Sequence, residues 1–184
     1  MNKILITIGF FAMLLAQWFV PGSMIYQQEA VLKDGTSYKF RTQPIDPNDP
    51  FRGKYIFLNY EMDRVHKSDS TIKRGDLMYV YIEKDSLGFA QATHASKKQL
   101  DIKQDYVKVE AYSTYYDSLR FTLPFNVYYM DEDKAYDAEV AVRIATRDSL
   151  ANNCYGLVYI KGERAVLADV FVDDVPIKDF VEKD

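Results

Sequence analysis

The sequence predicts a mainly β (α+β) protein: an antiparallel sandwich or barrel-like domain with one short helix, preceded by a single transmembrane helix. The first observation is an uncharged apolar run in residues 4–20. The second is an aromatic content of 15 Tyr and 11 Phe in 184 residues, because aromatic side chains favour strands. The third is a series of short alternating runs after residue 35, without the strand–helix alternation that builds parallel sheets.

Charge and length limit the possible partners. The net charge is −4, and no long run of one sign occurs, so the chain offers no basic face to a phosphate backbone. We therefore expect no nucleic-acid partner. Once the apolar end is set aside, the remaining chain is long enough for one domain with a substantial core.

The apolar run predicts a membrane span. A helix over residues 4–20 would be about 25 Å long, within the range of transmembrane helices. A signal peptide removed after export is one interpretation, because Gly22 and Ser23 are small enough to support cleavage. An uncleaved anchor is the other, and the length of the run and Trp18 near its end favour it. We assign residues 1–22 to a transmembrane signal anchor that contacts the lipid bilayer through residues 4–20.

The distribution of positive charge predicts the orientation of this anchor. Lys3 precedes the apolar run and the next basic residue is Lys33, so the amino terminus should remain cytoplasmic. We expect a single-pass protein of the inner (cytoplasmic) membrane with its C-terminal domain on the extracytoplasmic, periplasmic side. Cys154 then has no disulfide partner in the chain, and we expect it to be a small buried apolar residue.

Residues 23–35 join the anchor to the domain. They can continue as a short helix that ends at Gly35, or they can form a rigid juxtamembrane stalk. The extracytoplasmic domain then occupies residues 36–184. Its alternating runs predict strands over residues 36–42, 54–62, 76–83, 88–94, 105–113 and 118–129.

The run 118–129 alternates most regularly. Its apolar residues predict one buried face, formed by Leu119, Phe121, Leu123, Phe125, Val127 and Tyr129. Pro124 lies on the opposite face and cannot donate to a ladder, which indicates an edge position or a bulge.

The period changes after this run. Asp131 can cap a helix over residues 132–148, with Ala135, Ala138, Val142 and Ala145 on its apolar stripe. A strand over residues 139–146 is the alternative.

Two further runs, residues 154–160 and 164–172, complete the domain. Lys161–Glu163 joins them as a short turn in which Gly162 supplies an unusual backbone dihedral, and this pattern predicts a hairpin. The domain should therefore contain about seven or eight strands and one helix.

The strand 54–62 follows a loop with three prolines and opens after Gly53. Gly75 precedes the strand 76–83 in the same way, so each glycine is expected to supply a conformation or a close approach that a Cβ would forbid. Within 54–62, Tyr55 and Phe57 lie on one face, and the other face carries Ile56, Leu58, Tyr60 and Met62. Because both faces begin apolar, we expect this strand near the middle of a sheet.

The same stretch, RGKYIFLNY, resembles the signature of the GDYXXLXY family of bacterial membrane-anchored proteins. Gly53, Tyr55, Leu58 and Tyr60 match the signature and Arg52 precedes it, whereas Lys54 stands where the family has Asp. The resemblance extends to the segments PIDPNDPFRG, RGDLMYVYIEKDSLG, VYYMDED and ERAVLADVFVDD in the same order. It implies a membrane location and a role beside multi-pass membrane proteins, and it marks the matching residues as structural or binding positions.

One enzymatic alternative rests on Ser23. The segment VPGSM, followed later by RGDLMYV, is similar to the Ser-Met box and the Arg-Gly-Asp strand of type I signal peptidases, so Ser23 would be a nucleophile beside a neutral lysine. The proline that follows the Met in that family is replaced by Tyr26, and no Lys-Arg segment followed by Gly-Asp appears downstream of RGDLMYV. The sequence therefore favours a non-enzymatic role, with Ser23 as an interfacial residue or helix cap.

Metal and cofactor sites find little support in the sequence. His66 and His94 are the only histidines, and we expect both to be exposed polar residues. Asp46, Asn48 and Asp49 lack the glycine and glutamate of a calcium loop, so they are expected to form a turn. Asp173 and Asp174 are expected to form a solvated turn. We predict no cofactor and no metal.

The leading hypothesis is a binding or assembly module tethered by one helix, with a membrane protein or an envelope ligand as its partner. Exposed tyrosines could form its contact surface, although most of the tyrosines are expected to cover the sheets. A membrane-bound hydrolase and a purely structural stalk are the alternatives. A hydrolase requires converging catalytic groups in a pocket, whereas a binding module requires an exposed Tyr-lined surface.

Overall fold

A computed structural model of the chain describes residues 3–43, 55–66, 69–130, 134, 137–138, 140–142 and 154–181. These residues include a long N-terminal helix, α1 (Lys3–Asp34), and a short C-terminal helix (Ile177–Phe180). The described strands are β1 (Thr36–Gln43), β2 (Tyr55–Phe57), β3 (Asn59–Tyr60), β4 (Arg64–His66), β5 (Leu77–Lys84), β6 (Ala90–Ser96), β7 (Tyr106–Tyr115), β8 (Ser118–Phe121), β9 (Val127–Tyr129), β10 (Cys154–Lys161), β11 (Arg164–Val172) and β12 (Val175–Pro176).

The strands form two five-stranded antiparallel sheets and one two-stranded sheet. The first sheet has the order β12-β11-β10-β1-β3, and the second has the order β4-β8-β7-β5-β6. The short pair β2-β9 is the third sheet. Together they enclose the core in a nearly closed, barrel-like arrangement, which confirms the predicted mainly β antiparallel class. Short strands such as β4 and β12 raise the number of described strands above the predicted seven or eight.

Helix α1 continues without a break from the apolar run to the first sheet. Its apolar residues 4–20 are long enough to cross a bilayer, and they make no buried contact with the rest of the described chain. Residues 23–34 continue the same helix, as the helical alternative for this segment predicted. Pro21 lies within it.

The C-terminal end of α1 is docked on the sheet through backbone and side-chain contacts. Val31 is buried, and the end of the helix contacts β10 and β11. Gly35 N donates to Val31 O at 2.8 Å, and Lys161 Nζ lies 2.8 Å from Asp34 Oδ2. An ideal Cβ at Gly35 would lie 2.5 Å from Val31 O, so Gly35 permits a close backbone approach.

The segment 55–66 corrects the prediction of one strand over residues 54–62 near the middle of a sheet, because residues 55–60 form two strands, β2 and β3, and β4 follows them. It contains three short strands, and each belongs to a different sheet: β2 pairs with β9, β3 with β1 and β4 with β8. The change of partner occurs at Leu58, because its N–H donates to Asn126 O at 2.8 Å. The predicted faces are nevertheless correct, since Ile56, Leu58 and Tyr60 are all buried. The segment therefore joins the three sheets.

The run 118–129 is also divided. Strand β8 ends at Phe121, and β9 begins at Val127, with Pro124 in the connection. Tyr128 is buried and Tyr129 is exposed, which is the reverse of the predicted alternation. The predicted face is kept across Pro124, because Leu123 and Phe125 are both buried, so the phase changes only between Phe125 and Tyr128.

The helical interpretation of the segment after residue 131 is confirmed where the structure describes it. Residues 134, 137–138 and 140–142 are helical, and Ala138 and Val142 are fully buried. The alternative strand over 139–146 is therefore wrong at its described positions. The cap at Asp131 and the remaining residues of this helix lie outside the described residues.

The two tight turns at the end of the chain agree with the sequence. Lys161 pairs with Arg164 across the predicted hairpin, and Gly162 has φ of 60°. Asp173 and Asp174 have φ of 52° and 61°, a conformation that aspartate adopts more readily than most residues. This second turn directs β12 back along β11.

An aromatic cluster occupies the centre of the core. The rings of Phe40 and Phe125 pack edge to face with centroids 4.9 Å apart, and Tyr60 lies 5.8 Å and 5.5 Å from the two. These three residues come from β1, the β8–β9 connection and β3. Their contacts hold the first sheet against the segment that joins all three sheets.

Candidate binding surface at the β4–β6 seam

The second sheet curves until its two edge strands meet. Strand β4 packs against β6, yet no backbone ladder joins the two strands in the described part of the chain. We call this unpaired junction the seam. Because edge strands that lack a ladder retain backbone groups for other partners, the seam is where the barrel can accept a contact.

An open cleft of about 480 Å³ lies at the seam. The two-residue turn between β7 and β8, which is flanked by the paired residues Tyr115 and Ser118, forms part of its lining. Its lining residues are Arg64, Val65, His66, Ala92, Tyr115, Tyr116, Asp117 and Ser118.

Tyr116 occupies this turn in an unfavourable backbone conformation. Its φ is 42°, which costs energy for a side chain with a Cβ. Its side chain is 84% exposed, and the neighbouring Tyr115 is 69% exposed. The two rings pack edge to face with centroids 4.7 Å apart. The turn therefore exposes two aromatic rings to solvent. Exposed tyrosines are typical of surfaces that contact other proteins.

A pair of arginines continues the surface along β4 and β8. Arg64 and Arg120 are directly opposite in the register, two residue pairs along from His66 and Ser118. Asp63 accepts a hydrogen bond from Arg64 Nε at 2.9 Å and from Arg120 Nη2 at 2.6 Å. Burial would raise the pKa of the Asp63 carboxyl, but the bonds and charges of the two guanidiniums outweigh it and lower the pKa. Asp63 therefore remains ionised between the two arginines.

Tyr112 extends the surface on β7. The β7–β8 register shifts between Ala111 and Ser113, so Tyr112 occupies a bulge and is well exposed. The guanidinium of Arg74 lies 5.8 Å from the centre of its ring. Bulges often redirect side chains at functional edges, and this one adds a third exposed tyrosine.

A second open cleft of about 610 Å³ lies where β1 approaches the β6–β7 loop. Tyr38 donates to Asp105 Oδ2 at 2.9 Å, and Lys84 Nζ lies 5.1 Å from the centre of the Tyr38 ring. Burial and the bond to Asp105 raise the pKa of the Tyr38 hydroxyl. Tyr38, Asp105 and Lys84, the principal polar groups of this cleft, therefore contact one another.

The predicted catalytic and metal candidates lie apart from one another. Ser23 is in α1, where its hydroxyl donates to Val20 O at 2.7 Å. His66 lines the seam cleft, whereas the ring of His94 stacks on Tyr81 with centroids 4.5 Å apart. No group of three potential metal ligands occurs among the described residues. Asp46, Asn48 and Asp49 lie outside them.

Cys154 lies in the core at the start of β10, as expected of an apolar residue. Burial raises the pKa of its thiol to about 11, even though a hydrogen bond from Thr42 opposes the shift. The sulfur is therefore protonated and unreactive in the folded protein.

Comparison with known proteins adds a family. The sequence profile of the family described as GDYXXLXY protein matches residues 17–174. This chain belongs to the GDYXXLXY family. Searches of curated proteins and of solved structures returned no match.

The described motif residues of this GDYXXLXY protein are part of its packing. Tyr60 is buried, and its hydroxyl donates to Phe125 O at 2.9 Å. Burial raises the pKa of the Tyr60 hydroxyl. Leu58 is buried in the core, and the ring of Tyr55 packs edge to face against Tyr129 at 5.9 Å.

The start of the motif, Arg52 and Gly53, lies outside the described residues, as does Lys54. Of the two glycines expected to open strands, Gly53 and Gly75, only Gly75 lies within the described residues, and its φ is 86°. That conformation is strained for other residues, so the expectation is correct at this position.

The seam surface of this family member was missed by sequence reasoning. The segment YSTYYDS contains Tyr112, Tyr115 and Tyr116, but a dense aromatic run is equally typical of a buried strand. The turn-forming Asp117-Ser118 after the adjacent tyrosines is the signal that could have placed those side chains on a hairpin turn. The opposition of Arg64 and Arg120 depends on a register that the sequence does not specify.

Proposed function

We propose that this GDYXXLXY protein is a membrane-anchored, extracytoplasmic binding or assembly module, accessory to another membrane protein. The observation that carries the proposal is the exposed Tyr115–Tyr116 pair at the seam cleft. Tyr and Arg are the residue types that contribute most to protein interfaces, and both are concentrated here. A strained Tyr116 turn that is 84% exposed contributes nothing to the core, so its conformation is best explained by a contact.

The anchor of the proposed module is α1. Trp18 and the other large apolar side chains of residues 4–20 are exposed, and an apolar surface of this size is not stable in water. A bilayer would cover it. The proposed sidedness rests on Lys3, which precedes the span, because positive charges favour the cytoplasmic side. We propose the inner membrane and an extracytoplasmic position for residues 36–184.

Hydrolysis is the less favoured alternative. A Ser–Lys mechanism requires a lysine amine within hydrogen-bonding reach of the serine hydroxyl. The Ser23 hydroxyl instead donates to Val20 O inside the helix, and no lysine is bonded to it among the described residues. Binding requires no such convergence.

Site-specific photocrosslinking in intact membranes tests the proposed module. A photoreactive amino acid replaces Tyr116 in the full chain, and adducts are identified by mass spectrometry. Leu87, which is also exposed but lies on the β5–β6 turn, is the matched control position. The proposal predicts a discrete adduct with one membrane protein from position 116 and none from position 87.

Two results would contradict the proposal. One is the absence of any adduct at position 116, and the other is the same adducts at both positions, which would indicate random collision. Sidedness is measured separately by adding protease to spheroplasts. The proposal predicts loss of residues 36–184 from outside; protection of this domain would reject the orientation.

A further inference from the structure

The outer face of the β4–β8 pair contains an unusual arrangement of like charges. Arg64 and Arg120 are directly opposite in an antiparallel ladder, where like charges normally destabilise the sheet. Within the part of the chain that the structure describes, Asp63 is the one carboxylate bonded to both. Two guanidiniums that share one carboxylate retain a net positive charge of one, so the group is an incomplete ion cluster.

The two arginines are fixed in position and still accessible. Arg64 contacts Asp63 through Nε and Arg120 through Nη2, so each guanidinium uses one donor on Asp63. Their remaining N–H groups have no protein partner among the described residues. The side chains are 67% and 53% exposed. Donors held in place by Asp63 lose less conformational entropy when they bind an anion.

We propose that the Arg64–Asp63–Arg120 cluster is a carboxylate-binding site for an acidic, extended segment of a protein partner. This inference rests on the proposed function, because it specifies what the seam surface recognises. The planar guanidinium matches the two oxygens of a carboxylate.

The surroundings favour a peptide over a lipid phosphate. Arg64 also lines the seam cleft, so the charged site is continuous with the tyrosines of that cleft. Tyr115 lies on the same face of the sheet, two residue pairs further along the ladder, and a peptide segment is long enough to contact both. Helix α1, the proposed membrane anchor, is docked on β10 and β11 of the other sheet.

The test uses the full chain in nanodiscs of phosphatidylcholine and a defined probe. The probe is a fluorescent peptide of eight glutamates flanked by tyrosines, and its matched control replaces every glutamate with glutamine. Fluorescence polarisation measures binding. We expect the acidic peptide to bind and the glutamine peptide to bind at least tenfold more weakly, and we expect the affinity to fall with rising salt.

Single variants separate this cluster from general charge. Arg64→Gln and Arg120→Gln should each lower the affinity about tenfold. Arg64→Lys and Arg120→Lys keep the charge but lose the bidentate fork, so a loss of about threefold or more is expected. Arg164→Gln, which removes an exposed arginine from β11, should change nothing. Urea unfolding of each variant verifies that the domain remains folded.

Several outcomes overturn the inference. If the glutamate peptide does not bind, or if Arg64→Gln and Arg120→Gln leave its affinity unchanged, the site is not a carboxylate site. If phosphatidylglycerol vesicles bind through the same arginines while the peptide does not, the cluster recognises lipid phosphate instead. A partner crosslinked at position 116 without peptide binding would reject this inference alone, whereas the loss of both results would reject the proposed function as well.

Discussion

Tyr60 and Gly156 approach so closely that a Cβ on residue 156 would lie 3.0 Å from the Tyr60 hydroxyl oxygen. The motif tyrosine of β3 therefore packs against β10 at a position where any side chain would be crowded. The same hydroxyl donates to Phe125 O. One buried contact thus joins β10, β3 and the β8–β9 connection.

Gly156→Ala should lower the free energy of unfolding by about 1–3 kcal/mol, because the added methyl overpacks a dense core. Tyr60→Phe should cost about 1–2 kcal/mol, since it leaves the Phe125 carbonyl unsatisfied. In the double variant the clash with the hydroxyl is gone, so the combined loss should be about 1 kcal/mol smaller than the sum. Urea unfolding of all four proteins measures this coupling; strict additivity would contradict it.

Gly35→Ala should lower the free energy of unfolding by about 2 kcal/mol or more. The new Cβ would lie 2.5 Å from Val31 O and 3.0 Å from Ile160 O, and both of these are backbone atoms that cannot rotate away. Gly22→Ala is the matched control, because no atom beyond the neighbouring backbone of its own helix lies within 4 Å of its Cβ position. Equal stability of the two variants would show that α1 is not docked as described.

Tyr116→Gly should stabilise the domain by about 0.5–1 kcal/mol, because glycine adopts a positive φ without strain. The same change should abolish the interaction proposed for the seam. Gly162→Ala provides the opposite case, since φ there is 60°, and it should destabilise the protein. Thermal unfolding checks both signs, and a loss of stability in Tyr116→Gly would remove the argument from strain.

Asp63 should make the stability depend on pH in acid. The bonds from Arg120 and Arg64 lower its pKa below the usual 3.8. A carboxyl with a depressed folded pKa stabilises the protein above its unfolded pKa, and this contribution is lost as the pH falls through the folded value. Asp63→Asn should therefore reduce the loss of stability between about pH 5 and pH 2. Urea unfolding across this interval measures the change.

The control for this experiment is Asp101→Asn, an exposed carboxylate without a described partner. It should leave the acid dependence almost unchanged. If it reproduces the effect of Asp63→Asn, the acid dependence reflects overall charge and not the cluster.

Cys154 should resist thiol reagents in the folded protein. Burial raises its pKa to about 11, and the thiolate is the reactive form. We expect no maleimide labelling at about pH 8 in the native state and complete labelling in urea. Labelling of the native protein at the rate of a free thiol would show that the N-terminal end of β10 opens.

The sequence predicts faces better than partners. Ile56 and Leu58 are buried as alternation indicates, because the direction of a side chain depends only on the local pleat. The sheet to which each strand belongs depends on residues far along the chain, such as Asn126, whose carbonyl bonds Leu58. That is why the single strand predicted over residues 54–62 proved to be two, β2 and β3, in different sheets.

The candidate surface was less predictable than the fold. Tyr116 is exposed because it lies in a turn, and Tyr81 is buried because it lies in a central strand. Both have aromatic neighbours in the sequence, so local composition does not distinguish them. The charged cluster requires the β4–β8 register before Arg64 and Arg120 can be seen to face each other. By contrast, the apolar span is a local property, so its length and helical form were predictable.

The uninterrupted helix from Lys3 to Asp34 fixes the rotation of the domain about the helix axis as well as its attachment to the apolar run. Each residue of an α-helix adds about 100° of rotation and 1.5 Å of rise. The end of α1 is docked on the first sheet. If residues 4–20 cross a bilayer as proposed, the direction in which Tyr115 and Tyr116 face relative to the membrane depends on the number of helical residues between residue 20 and the docked end. Inserting two residues after Gln27 would rotate the seam to the opposite side of the helix axis, while moving it along that axis by only about 3 Å.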